Sequence, residues 1–104
     1  MSKDVIAIRE LEFITKGEKQ KRKLIIKVLK PYELVEGQVS FPFSPGTAGC
    51  EVLFEGLETD YYNSVTYGAD SLQAIQLAAD IEPTLKRINQ KHELFFLTGE
   101  PYFE

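Results

Sequence analysis

The segment Tyr67-Gly68-Ala69-Asp70-Ser71-Leu72-Gln73-Ala74-Ile75-Gln76-Leu77-Ala78-Ala79-Asp80 constrains the fold more than any other, because it carries a helix start and a helical face within one short run. Asp70 or Ser71 supplies the N-cap, since a side-chain oxygen there accepts from backbone N–H groups that the first turn leaves unpaired. At about 100° per residue, Leu72, Ala74, Ile75, Leu77, Ala78, Ala79 and Ile81 form a broad apolar arc. Gln73, Gln76 and Asp80 fall on the opposite side with their side chains free. The alanines allow close approach to a sheet. Glu82-Pro83 should then end or kink the helix, and Thr84 to His92 can resume it with Leu85 and Ile88 as anchors.

Upstream, the pattern is that of strands. Residues 4 to 15 alternate, but the phase changes near Arg9-Glu10, which predicts a bulge that lets Ile6 and Ile8 share a face with Leu11 and Phe13. A Gly17 turn leads into a second strand, Lys23 to Lys30, which Pro31 ends. Cys50 to Glu55 is a third strand, closed by Gly56, with Cys50, Val52 and Phe54 on its apolar face. Tyr61 to Tyr67 is a fourth, rich in β-branched and aromatic residues. The prediction is a single α+β domain over residues 1–104. It has an antiparallel sheet of about four to five strands, in the order β-β-β-β-α with a C-terminal strand or arm, and one main helix packed on one face.

Two aromatic segments lie outside this frame. Phe41 and Phe43, in the irregular stretch 32 to 49, either fold back to cap the core, the favoured reading, or wait for a partner. The tail from Leu94 to Phe103 holds Phe95, Phe96 and Phe103, and is either a further strand or an arm placed on a second subunit, making a homodimer.

The chemistry expected of an enzyme is sparse. His92 is the only histidine and Cys50 the only cysteine, so neither a disulfide nor a zinc site can be assembled within the chain. Glu58 and Asp60, with Glu55, lack the spacing of a calcium loop, and no glycine-rich phosphate loop is present. No cofactor is implied. Seven Lys or Arg lie within residues 16–30, whereas residues 31–85 hold nine Asp or Glu and no Lys or Arg. A lysine-rich strand turn beside so acidic a remainder argues against nucleic acid. A lone thiol, with no apolar run long enough for a leader or a membrane span, suits the cytoplasm and no membrane.

Gly56-Leu57-Glu58, followed by the run from Tyr67 to Ala78, resembles a bacterial family of small domains of unknown function. Its helix start reads Gly-x-Asp-Ser-Leu-Gln-Ala-x-Gln-Leu-Ala. The resemblance implies a sheet with one packed helix and no assigned activity, and marks Gly68, Asp70, Ser71, Gln73 and Gln76 as motif positions. The functional expectation is a non-enzymatic protein-binding or self-associating domain of immunity-like or antitoxin-like kind. Its candidate surface is Phe41, Phe43, Tyr61, Tyr62, Gln73, Gln76, Phe95, Phe96 and Phe103. The alternative is a small enzyme or ligand binder using Cys50, His92 or the Glu58 and Asp60 carboxylates.

Overall fold

The computed structural model describes residues 4–103. The elements run β1 (Val5–Thr15), β2 (Lys21–Leu29), β3 (Tyr32–Glu33), β4 (Ala48–Glu55), β5 (Ser64–Gly68), α1 (Ser71–Ala79), α2 (Glu82–Asn89) and β6 (His92–Phe95). The architecture is α+β, as expected, but the antiparallel sheet has six strands rather than four or five.

Pro31 accounts for part of the difference. β2 places Val28 opposite Val52 of β4, and β3 places Tyr32 opposite Gly49. Four steps along one side thus match three along the other, so β3 resumes the line of β2 after one surplus residue. Proline removes a ladder N–H at the break without forcing the chain off the sheet for good. β5 pairs with the other edge of β4, from Ala48 opposite Gly68 to Val52 opposite Ser64. The tail supplies the remaining strand. β6 pairs with the end of β1, Glu12 opposite Phe95 and Thr15 opposite His92, so the C-terminal segment folds onto its own sheet.

One sheet face is dry. Leu11, Phe13, Leu24, Ile26, Val28, Cys50, Val52, Phe54 and Leu94 project there and meet Ala74, Ala78, Ile81, Leu85 and Ile88 from the helices. α1 lies over β4 and β5, and α2 lies beside β6. Gly68 makes the first contact possible: a Cβ at that position would be 2.5 Å from the Ala74 amide nitrogen, so only a residue without a side chain lets the helix seat so closely.

Three local expectations are corrected. The bulge lies between Val5 and Ala7, not near Arg9-Glu10, and from Ala7 to Ile14 the β1–β2 register runs unbroken. Ile8 therefore faces away from Leu11 and Phe13 and is 58% exposed, and Ile6 is exposed as well. On α1, Leu72 and Leu77 are exposed too, and the contact with the sheet is carried by Ala74 and Ala78 with Ile75 half-buried. Finally, α1 ends at Ala79 and Asp80 before the proline, and Pro83 stands in the first turn of α2. First-turn amides have no helical partner, so a missing N–H costs nothing there.

Candidate functional site

The candidate residues fall into three separate groups. The first surrounds the helix entrance, where Phe41, Phe43, Thr47, Tyr67, Gly68 and Gln73 line a shallow cleft of about 330 Å³. Phe41 does not cap the core. It is 41% exposed, with its ring edge-on to Tyr67 at a centroid distance of 5.1 Å. Gln73 is not free either. Its Oε1 accepts from the Ala69 N–H at 2.6 Å, while the Asp70 carboxylate accepts from the Gln73 N–H at 2.8 Å. The two side chains thus satisfy each other's neighbourhood at the helix start, in the manner of a capping box displaced by one residue. Gln76 is exposed, and its side chain bonds to nothing among the described residues.

The second group forms a larger cleft of about 580 Å³, lined by Thr59, Tyr61, Tyr62, Arg87, Gln90, Lys91 and His92. Tyr61 is 73% exposed and meets Tyr62 edge-on, and the Arg87 guanidinium lies 5.9 Å from the Tyr62 ring centre. His92 Nδ1 is 2.8 Å from Thr15 Oγ1, which also accepts from Arg22 at 3.1 Å. The imidazole pKa lies below its ordinary value because partial burial disfavours the charged form, and Arg22 and Lys91 add to this while Glu18 opposes it. Glu58 holds Arg22 at 2.9 Å with a backbone φ of 60°, and Asp60 closes a turn, its carbonyl accepting from Asn63 N–H.

The third group is the tail. Phe96 meets Tyr102 edge-on at 4.9 Å, and Phe103 stacks obliquely on Tyr102 and packs against the core. Lys21 caps the half-buried Phe95 ring at 5.3 Å. Two residues that the sequence did not single out, Arg9 and Glu82, hold this segment: Arg9 donates to the Tyr102 hydroxyl at 2.9 Å, and that hydroxyl donates to Glu82. Burial and the Glu82 bond raise the Tyr102 pKa. Arg9 stands 73 positions from Glu82 and 93 from Tyr102, a separation that no local motif records.

Cys50 and His92 are not brought together. They stand on β4 and β6, three strands apart and at opposite ends of the sheet: Cys50 lies just past Val52, which faces Val28 and through it Ala7, whereas His92 faces Thr15. Cys50 is fully buried, its thiol donates to the Leu29 carbonyl at 3.2 Å, and burial followed by the Glu51 charge raises its pKa. A thiol in that condition is a poor nucleophile. No cluster of three or more His, Cys, Asp or Glu arranged to hold a metal occurs among the described residues. Nor is any helix among them long and apolar enough to cross a membrane.

Among the described residues, three of the seven cations in the basic ribbon meet carboxylates. Lys27 reaches Glu55 at 2.8 Å, Lys23 lies 4.0 Å from Glu10, and Arg22 meets both Glu58 and Glu18. No family model matches the chain, and no curated protein or solved structure matches it.

Proposed function

We propose that this chain is a non-enzymatic domain that acts by binding protein, either a partner or itself. The observation that carries this reading is the first half of β1, where every residue from Val5 to Glu10 is exposed and three of them are large and apolar. A strand that buries neither face contributes little to its own core, and exposed apolar runs of this kind mark interaction surfaces. The acidic stretch from residue 31 to residue 85 suits a basic partner of the sort an immunity-like or antitoxin-like protein would neutralise.

Two measurements test the reading together. Light scattering across a wide concentration range should give a mass above that of one chain, or affinity capture from the native host should return a specific protein whose binding weakens when Ile6 and Ile8 are changed to Ser. A strict monomer that captures nothing would sink it.

A second reading rests on the tyrosine cleft. Arg87, Lys91 and two tyrosine rings in one concavity fit a small organic anion carrying an aromatic group. Thermal shift with a nucleoside monophosphate is the direct assay, and an unchanged midpoint at millimolar ligand removes this alternative.

A further inference from the structure

We infer that two copies of this chain associate by pairing the open edges of β1 in antiparallel fashion, with Ile8 opposite Ile8 on a twofold axis perpendicular to the sheet. This rests on the protein-binding reading and names its partner.

The open stretch is defined by register. β2 pairs along β1 from Val5 to Ile14, whereas on the other side β6 covers Glu12 to Thr15 alone. Val5 to Leu11 thus has no strand neighbour on that edge among the described residues. The direction of its backbone groups follows from the covered part. The Lys16 N–H donates to the Lys91 carbonyl across the β1–β6 side, and the Leu94 carbonyl, opposite Phe13, turns away from β1 to accept from Tyr102. Carried back along the regular strand, the alternation aims the N–H and C=O groups of Glu10 and Ile8 at the open edge and those of Leu11 and Arg9 at β2.

Charge and the length of the open stretch together select the register. A twofold axis through the sheet pairs residues of the same face, so neighbouring registers differ by two. With Arg9 on the axis, two guanidinium groups oppose each other; with Ala7 on the axis, Glu10 and Leu11 run past the end of the partner's stretch at Val5 and stay unfilled. With Ile8 on the axis, Ala7 meets Arg9 and Ile6 comes to Glu10, no like charges oppose within the stretch, and the bulge between Val5 and Ala7 turns the Val5 side chain to the face opposite that of Leu11. Ile8 is also the midpoint of the open stretch, so each copy fills the other's edge completely.

The apolar surface lies where this pairing needs it. The exposed large hydrophobic side chains among the described residues number eleven, and five of them are Val5, Ile6, Ile8, Phe96 and Leu97. Phe96 and Leu97 follow directly on β6, where the chain turns away through Gly99 beside Leu11. In the Ile8 register, that is where the second copy's Val5 arrives. A notch of about 120 Å³ lined by Ala7, Ile26, Val28 and Ile81 opens beside the same edge.

The test uses charge exchange at position 8. Within one chain Ile8 stands opposite Lys27, which also meets Glu55, so Ile8→Glu adds a carboxylate beside that cation while Ile8→Lys faces a like charge, and circular dichroism checks that both variants keep the fold. Across the axis Ile8→Glu sets two carboxylates face to face. Sedimentation equilibrium should find the wild-type chain dimeric, and both Ile8→Glu and Ile8→Lys with association weakened about 100-fold. An equimolar mixture of the two variants should regain the dimer. A wild-type chain that stays monomeric at millimolar concentration overturns the self-pairing, while a host protein captured through Ile6 and Ile8 would still uphold the protein-binding reading. A dimer indifferent to Ile8→Glu, or a mixture that stays monomeric, overturns the edge or the axis.

Discussion

Single residues around the helix entrance explain most of what the sequence displays there. Gly68 admits α1, Asp70 caps it, Gln73 ties back to Ala69, and Ala74 lies flat on the sheet with no exposed surface. A motif that reads as a functional signature is thus largely accounted for by folding, which leaves Ser71 and Gln76 as its exposed members with no side-chain bond among the described residues. The consequence is measurable. Gly68→Ala should cost about 2–3 kcal/mol in urea unfolding, because the added methyl meets backbone that cannot yield. Gly99→Ala, where nothing lies within 4 Å and only the positive φ of 95° is strained, should cost about 1 kcal/mol. His92 gives a pH signature at the same scale. Its folded pKa lies below the ordinary 6.5, so between those two values the unfolded chain binds the proton more readily and stability falls as pH falls. Unfolding midpoints taken from pH 7.5 downward should show that slope, and His92→Gln should flatten it. An unchanged slope would mean that Arg22, Lys91 and burial do not disfavour the imidazolium as described.

At the scale of elements, what was legible was what is local or one-sided. The start of α1 and the strands β2 and β4 were readable because each buries one face, and the buried face writes its period into the sequence. The first half of β1 was misread for the opposite reason. With both faces exposed, Val5 to Glu10 is under no packing constraint, so its apolar pattern says nothing about which side is inside. Leu72 and Leu77 misled similarly: alanines make the contact with the sheet because it is close, and the larger side chains are left outside. The second cleft was illegible because strand register assembles it from β6, α2 and the loop before β5. Pro83 offers a test of element boundaries. Since it occupies the first turn of α2, Pro83→Ala should leave the helical circular dichroism signal unchanged and destabilise the fold by less than about 1 kcal/mol, mainly through the unfolded chain. Asp70→Ala should cost about as much, through loss of the cap, and should in addition lower helicity. If Pro83→Ala instead joined α1 and α2 into one longer helix, proline would be the breaker after all.

The whole molecule is longer than a domain of its size need be. Its radius of gyration is 15.5 Å and its extents are 48 × 27 × 23 Å, against about 13 Å for the radius of a compact domain of this length. The sequence places seven of its cations in one block and most of its anions elsewhere, yet antiparallel pairing brings Lys23 to Glu10 and Lys27 to Glu55 on the solvent face, so part of the block is balanced across strands, in keeping with the reading against nucleic acid. What does persist is the one-sided β1 edge. Hydrogen exchange resolves it residue by residue, because neighbouring amides on the same strand face opposite ways. Arg9 and Leu11, turned toward β2, should be protected at every concentration. Ile8 and Glu10 should exchange at least about 100-fold faster than Leu11 in a dilute, monomeric sample, since local opening costs them nothing. As concentration rises, their protection should climb with the dimer fraction while that of Leu11 stays fixed, and the same climb should be absent in Ile8→Glu. Equal protection of all four amides in dilute solution would show that the edge is already covered within a single chain.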